Sequence, residues 1–160
     1  MFEPDILISA RDGAEVHVVV EVKASVAGLD LVQDELRRFM VLTNCPVGLL
    51  VAPNRVRLFR NWYRSYTADS VELLGDYTVT LFDEWANMPA DERGAYMSRF
   101  ESVVQHWLER LTDASAVEAL PTPLRSALED EVVPYIRAGE VRAAHHRYPA
   151  SRASDRGQRP

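Results

Sequence analysis

Lysine is almost absent from this chain of 160 residues, since Lys23 is the only lysine among 18 basic side chains. Arginine therefore serves wherever a general positive charge is sufficient. The guanidinium group is bulky and always charged, whereas an ammonium group is a compact point charge whose protonation can change. The single lysine thus indicates a position with a specific chemical task.

Cysteine and long apolar runs are also scarce, and both absences exclude classes of protein. The single cysteine, Cys45, excludes an internal disulfide and a thiolate metal site, so a buried thiol and a cytoplasmic location are expected. No apolar run reaches about 18 residues and the amino terminus lacks a signal-peptide pattern, so no membrane-spanning segment is predicted. Zinc-binding Cys/His spacings, glycine-rich phosphate loops and Ser/His/Asp signatures do not occur.

Acidic residues exceed basic ones, 24 to 18, which gives a formal net charge of −6. This balance argues against general nucleic-acid binding, which depends on neutralisation of phosphates by Lys and Arg. A local basic surface can still exist, and basic and aromatic residues interleave only between Arg55 and Tyr66. Arg55, Arg57 and Arg60 are therefore candidate contacts for DNA. The alternative is an edge strand whose arginines oppose edge pairing and whose aromatic rings pack under carboxy-terminal helices.

The segment from Glu15 to Lys23 alternates as a β-strand, with four valines on one face. His17, Val19, Glu21 and Lys23 are predicted on the other face. Two residues along a strand are about 6.6 Å apart, so Glu21 and Lys23 can share a ligand without forming a simple ion pair. His17 is too far from Glu21, roughly 13 Å by strand rise, to share a metal ion with it.

A preceding strand contains Asp5, whose position depends on the register of the hairpin. A two-residue Asp-Gly turn would pair Asp5 with Val20 and place its carboxylate on the apolar face, whereas a three-residue loop from Asp12 to Ala14 pairs it with Glu21. Burial of an unpaired carboxylate costs several kcal/mol, more than the preference for one turn type. We therefore predict the three-residue loop, with Asp5 beside Glu21.

Two neighbouring carboxylates on one strand face repel each other unless a divalent cation lies between them. Mg²⁺, or Mn²⁺, fits this position, because it needs only one or two protein carboxylates together with waters and phosphate oxygens. The Lys23 ammonium beside it could orient or activate an attacking water. These residues are suited to phosphodiester hydrolysis.

Pro4-Asp5, followed by Glu21-Val22-Lys23 at the end of the next strand, resembles the signature of the PD-(D/E)XK nuclease superfamily, which includes many restriction endonucleases. Residues 34–40 and 45–51 are similar to the helix and strand that follow this motif in the amino-terminal nuclease domains of type I restriction enzyme subunits. The resemblance implies a restriction-endonuclease-like mixed β-sheet and a metal ion held by Asp5, Glu21 and the Val22 carbonyl. It also implies that Lys23 assists hydrolysis of DNA.

Two features depart from this family. Those relatives usually carry Gln and Tyr four residues apart on the helix, where this chain has Glu35 and Phe39, so Glu35 is a possible helix contribution to the site. The family core normally begins with a helix, often bearing a further acidic residue, and a first strand, whereas Pro4 follows Met1 by only three residues. Either the start codon is misassigned, the chain is shortened, or another chain or a later segment supplies the missing layer.

The predicted organisation is an α/β core at residues 1–88, a helical segment at 89–145 and a disordered tail at 146–160. In the core, one helix from about Asp30 to Thr43 crosses between strands and gives a mixed sheet with parallel pairing at its centre. Strands are expected at 47–52, 56–62 and 77–82, with a loop at 67–76. Two helices, 89–111 and one from Pro121 to Ala138, are expected to form a hairpin before Gly139. Adjacent histidines at 145 and 146 are expected to be poor ligands.

The leading hypothesis is a Mg²⁺-dependent nuclease-like domain that hydrolyses DNA. A first alternative is an inactive protein of the same fold that acts as a binding or regulatory module. It is favoured by the missing first helix, by the departures at Glu35 and Phe39 and by the acidic charge. A second alternative is a structural protein in which the valine-rich hairpin forms the shared sheet of a homodimer.

Overall fold

The structure, a computed structural model, describes residues 2–89, 92 and 96–145. Its strands are β1 (Ile6–Ala10), β2 (Val16–Val22), β3 (Val47–Ala52), β4 (Arg55–Asn61), β5 (Val71–Thr78) and β6 (Gly139–Ala143). Its helices are α1 (Leu29–Leu42), α2 (Asp83–Ala86), α3 (Met97–Arg110), α4 (Ala114–Glu118), α5 (Thr122–Glu131) and α6 (Val133–Ala138), with a 3₁₀ helix at Ala68–Ser70. The predicted disordered tail and part of the helix predicted from Pro89 lie outside the described residues.

The six strands form one mixed sheet in the order β5-β4-β3-β2-β1-β6. Only β2 and β3 pair in parallel, and the crossing helix α1 connects them, while the other four neighbouring pairs are antiparallel. The predicted mixed α/β sheet with parallel pairing at its centre is therefore confirmed. A parallel pair requires such a crossover, because a tight turn can join only antiparallel strands.

The register of the first hairpin agrees with the prediction at the end that contains Asp5 and Glu21. Ile6 lies opposite Val20 and Ile8 opposite Val18, so Asp5 comes next to Glu21. The predicted loop length is wrong, because the Ala10 amide donates to the Glu15 carbonyl at 2.9 Å and four residues form the loop. A β-bulge after Ile8 accommodates the difference.

The bulge also changes the face on which two side chains of β2 lie. His17 was predicted on the face of Glu21, but its ring stacks on Tyr135 of α6 with centroids 4.6 Å apart. Val16 packs instead with the residues under α1. One extra residue in a strand reverses the alternation, and nothing in the local pattern of valines reveals it.

Helix α1 covers one face of the sheet. Its apolar stripe buries Leu29, Leu36 and Met40, as expected for an amphipathic helix laid on a sheet. The Met40 sulfur packs so closely on β3 that a Cβ atom at Gly48 would approach it to 2.6 Å. This close contact fixes the helix over the parallel pair.

The carboxy-terminal helices cover the opposite face and share one core with the strands. The expected long helix from Pro121 is divided into α5 and α6, because Pro134 has no amide hydrogen and its ring would clash with the preceding turn. The core residues contributed by these helices and the strands include Ile6, Ile8, Val18, Val20, Val22, Phe100, Val104, Leu108, Leu111, Leu124, Leu128 and Ile136.

Strand β5 corrects two predictions. It occupies much of the segment predicted as a loop at 67–76, and it ends where the strand predicted at 77–82 was to begin. Because β5 is an edge strand with exposed side chains such as Glu72, its polar composition resembles that of a loop. Strand β4 lies between β3 and β5, so the alternative that made it an edge strand is wrong.

Strand β6 was not predicted, and it shows that the carboxy-terminal segment is not purely helical. It pairs antiparallel with β1, from Ile6 opposite Ala143 to Ala10 opposite Gly139. A Cβ atom at Gly139 would overlap the Ser9 carbonyl oxygen, so only glycine allows this approach. The sequence left open whether another chain or a later segment of this chain lies beside the hairpin. In the structure a later segment, β6, does so.

Candidate active site

Asp5 lies immediately before β1 and is fixed by contacts on both sides. Its Oδ2 accepts a hydrogen bond from the Val22 amide at 2.7 Å. Its own amide donates to the Val20 carbonyl and its carbonyl accepts from the Ala144 amide, both at 3.0 Å. The side chain, only 13% exposed, therefore points toward the end of β2 in a defined orientation.

Glu21 lies beside Asp5 on β2 and is 4% exposed. Burial, a hydrogen bond with Asp5 and the negative charge of Asp5 raise the pKa of Glu21 to about 9, although Lys23 and the Val22 amide act in the opposite direction. Two carboxyl groups so close in a low-dielectric region cannot both ionise readily. In the absence of a cation, Glu21 thus holds a proton at neutral pH.

Lys23 follows the last residue of β2, and its amide donates to the Val51 carbonyl at 2.8 Å. The side chain is half-buried, and its charge acts on Glu21. Among the residues that the structure describes, no carboxylate lies within the 4 Å of an ion pair with Lys23. Its ammonium group is therefore able to contact a substrate or a water molecule.

The structure adds two residues that the sequence did not identify. His145 follows β6, and its Nε2 lies 3.3 Å from Asp5 Oδ1 and 3.8 Å from Glu101 Oε1. Glu101, on α3, is 6% exposed. Its position between Phe100 and Val104 places a carboxylate on the apolar face of an amphipathic helix, which is a signal that the sequence offered. His145 was expected to be a poor ligand, yet it lies against these carboxylates, because its location depends on the pairing of β6.

The possible helix contribution of Glu35 finds no structural support. Glu35 is half-buried on α1. In the described part of the chain, no hydrogen bond or ion pair joins it to Asp5 or Glu21.

The three arginines predicted to contact DNA are all engaged with carboxylates. The hydrogen bond and the charge of Arg55 lower the pKa of Asp76, which fits a strong pair. The aromatic residues that follow were expected under the carboxy-terminal helices, but Tyr66 is fully exposed and Trp62 is 40% exposed. The pairs are Arg55 with Asp76, Arg57 with Asp76 and Asp30, and Arg60 with Glu131. The charge of these arginines is thus already balanced by carboxylates of the protein. Their contact with DNA remains a prediction.

The donor set at this end of the sheet fits a divalent cation. Asp5 and Glu21 place two carboxylates side by side in a largely buried region, and such groups are stable there when paired or when they coordinate a metal. Carboxylate and carbonyl oxygens are the ligands that Mg²⁺ and Mn²⁺ prefer. The residues present thus fit the ion that the resemblance implies.

Comparison of this chain with protein families, with curated proteins and with solved structures gave no match. Among the described residues, no helix combines the length and the apolar character that crossing a bilayer requires.

Proposed function

We propose that this chain is a metal-dependent nuclease-like domain that hydrolyses phosphodiester bonds of DNA with Mg²⁺ or Mn²⁺. The observation that carries the proposal is the buried pair of Asp5 and Glu21, held side by side at the end of the hairpin and next to the only lysine of the sequence. Two adjacent buried carboxyl groups cost stability at neutral pH when no cation is bound, because one must remain protonated. A functional requirement for a cation explains their retention.

Each residue has a distinct role in this proposal. Asp5, Glu21 and the Val22 carbonyl would hold the ion, which when bound acts as a Lewis acid and lowers the pKa of a coordinated water. The Val22 amide fixes the orientation of the Asp5 carboxylate. The Lys23 ammonium donates hydrogen bonds to the scissile phosphate or orients the attacking water, while the surrounding burial keeps other water away from these groups.

The topology supports the same function. The hairpin, the crossing helix α1 and the parallel strand β3 follow in the order that the resemblance implies. The resemblance also leads us to expect a further strand and a helix with an acidic residue, and β6 and the Glu101 helix α3 are elements of these kinds. In this chain they come after the motif rather than before it.

The proposal is tested by cleavage of plasmid and linear DNA by the full chain with millimolar Mg²⁺ or Mn²⁺. Glu21→Gln should lower the cleavage rate at least about 100-fold, because it removes a charged ligand while it keeps the shape of the side chain. Lys23→Arg should also be impaired, since a guanidinium group cannot replace the compact ammonium. The matched control is Glu72→Gln, on the exposed face of β5. Cleavage that is unaffected by Glu21→Gln would overturn the assignment.

The second candidate is a nuclease-fold module that binds without cleaving. The neutralised arginines and the net charge of −6 favour it, because both weaken nonspecific attraction to DNA. Calorimetric titration with Mn²⁺ separates the two functions: metal binding with cleavage supports the nuclease, and no heat at millimolar Mn²⁺ supports the module. The homodimer hypothesis loses its basis, since β1 and β2 both have neighbours on each side and the hairpin offers no free edge.

A further inference from the structure

We propose that Asp5, Glu101 and His145 form a second cation site, which takes a borderline divalent ion such as Co²⁺ or Zn²⁺ more tightly than Mg²⁺. This site goes beyond the nuclease proposal, because it requires only these three side chains and does not depend on DNA cleavage. Asp5 would belong both to this site and to the site that it forms with Glu21. One of its two carboxylate oxygens would contact the ion at each site.

The geometry of the three groups carries this inference. They come from the start of β1, from α3 and from the end of β6, and one ligand atom of each lies within 4.8 Å of the others. Metal–ligand distances of about 2.0–2.2 Å place neighbouring tetrahedral ligands roughly 3.3–3.6 Å apart. The separation of 3.3 Å between His145 Nε2 and Asp5 Oδ1 matches this value, and the 3.8 Å to Glu101 Oε1 needs only a small shift.

Burial and charge favour a cation between Asp5 and Glu101. Glu101 is 6% exposed and lies on the core-facing side of α3, where a charged side chain costs several kcal/mol unless it is compensated. Asp5 and Glu101 each carry one negative charge when ionised. A divalent ion between Asp5 and Glu101 offsets both charges without requiring a charged histidine.

The ligand types define the class of ion. Mg²⁺ demands oxygen ligands in octahedral geometry, whereas an imidazole nitrogen suits Co²⁺, Ni²⁺ and Zn²⁺. Three protein ligands with a remaining open position are typical of a reactive rather than a structural centre. His145 is 40% exposed, so water can reach this side of the site.

The experiment uses the full chain without a histidine affinity tag and measures two ions separately. Co²⁺ binding is followed by visible absorption, which reports its ligands, and Mg²⁺ binding by calorimetry. His145→Ala and Glu101→Gln should each weaken Co²⁺ binding at least tenfold and change Mg²⁺ binding less than twofold. Glu21→Gln should weaken Mg²⁺ binding at least tenfold and change Co²⁺ binding less than twofold. His106→Ala, at an exposed position of α3, is the matched control and should change neither affinity.

Several outcomes decide the matter. Zn²⁺ should displace Co²⁺ from the wild-type chain but Mg²⁺ at equal concentration should not. Unchanged Co²⁺ affinity and spectrum in both His145→Ala and Glu101→Gln would overturn this site, as would equal loss of Co²⁺ binding in His106→Ala. Circular dichroism and thermal denaturation verify the fold of each variant, and His145→Asn replaces His145→Ala if the latter is unfolded. Absence of DNA cleavage by a metal-loaded wild-type chain removes the nuclease proposal alone.

Discussion

Replacement of Glu21 by glutamine should stabilise the metal-free protein at neutral and alkaline pH. In the folded chain the pKa of Glu21 is raised to about 9, mainly by burial and then by Asp5, whereas the ordinary value is 4.5. Between these pH values the folded state holds a proton that the unfolded state has lost. The contribution of Glu21 to stability is therefore fully present below pH 4.5 and is lost as pH rises toward 9.

The magnitude follows from linkage. Each pH unit in this window lowers the free energy of unfolding by about 1.4 kcal/mol, so the accumulated cost is roughly 3 kcal/mol at pH 7. Glutamine removes the titration and its amide can still donate a hydrogen bond to the Asp5 carboxylate, which keeps that side chain satisfied. We thus expect the variant and the wild type to differ little at pH 5 and by a few kcal/mol at pH 8.

The measurement is urea denaturation at pH 5, 6, 7 and 8 in the presence of a chelator. Glu72→Gln, on the exposed edge strand, is the control and should follow the wild type. If saturating Mg²⁺ replaces the proton, it should raise the stability of the wild type at pH 8 but not that of Glu21→Gln. Stability curves of wild type and Glu21→Gln that run parallel from pH 5 to 8 would refute the reasoning from the buried pair.

Three further predictions test other parts of the structure. Gly139→Ala should lower the thermal denaturation temperature and cost about 1–3 kcal/mol, because its Cβ atom would overlap the Ser9 carbonyl oxygen; an unchanged temperature would contradict the pairing of β6 with β1. Asn61→Ala should lower the free energy of unfolding in urea by about 1–3 kcal/mol, because the buried Ser70 hydroxyl loses its acceptor. The Cys45 thiol, whose pKa burial raises to about 11, should react with a thiol reagent at pH 8 no faster than the protein opens, and rapid reaction would contradict its burial.

The parts of the fold that sequence reasoning predicted depend on local patterns. The hairpin register, helix α1 and the buried strand β3 each follow from the spacing of apolar residues within one segment. The adjacency of Asp5 and Glu21 followed as well, since the cost of a buried, unpaired carboxylate decides between two registers. The valine pattern did not reveal the bulge that turns His17 to the other face, because a bulge becomes visible only in the pairing of two strands.

The remaining parts depend on contacts between distant segments. Strand β6 is short and largely exposed, and its identity as a strand comes from the edge of β1 that it covers. Because His145 reaches Asp5 only through that pairing, its position could not be inferred from neighbouring residues. Glu101 is an intermediate case, since its place on an apolar helix face was visible but its partner was not.

The pairing of β6 with β1 has a consequence for the timing of assembly during protein synthesis. The ribosome releases the hairpin first, yet Ala143, the strand partner of Ile6, is translated more than a hundred residues later. A nascent chain that has exposed only the hairpin and α1 would carry Asp5 and Glu21 without the histidine and the helix that enclose them. The carboxylates of Asp5 and Glu21 would therefore become fully enclosed only after translation has passed residue 145.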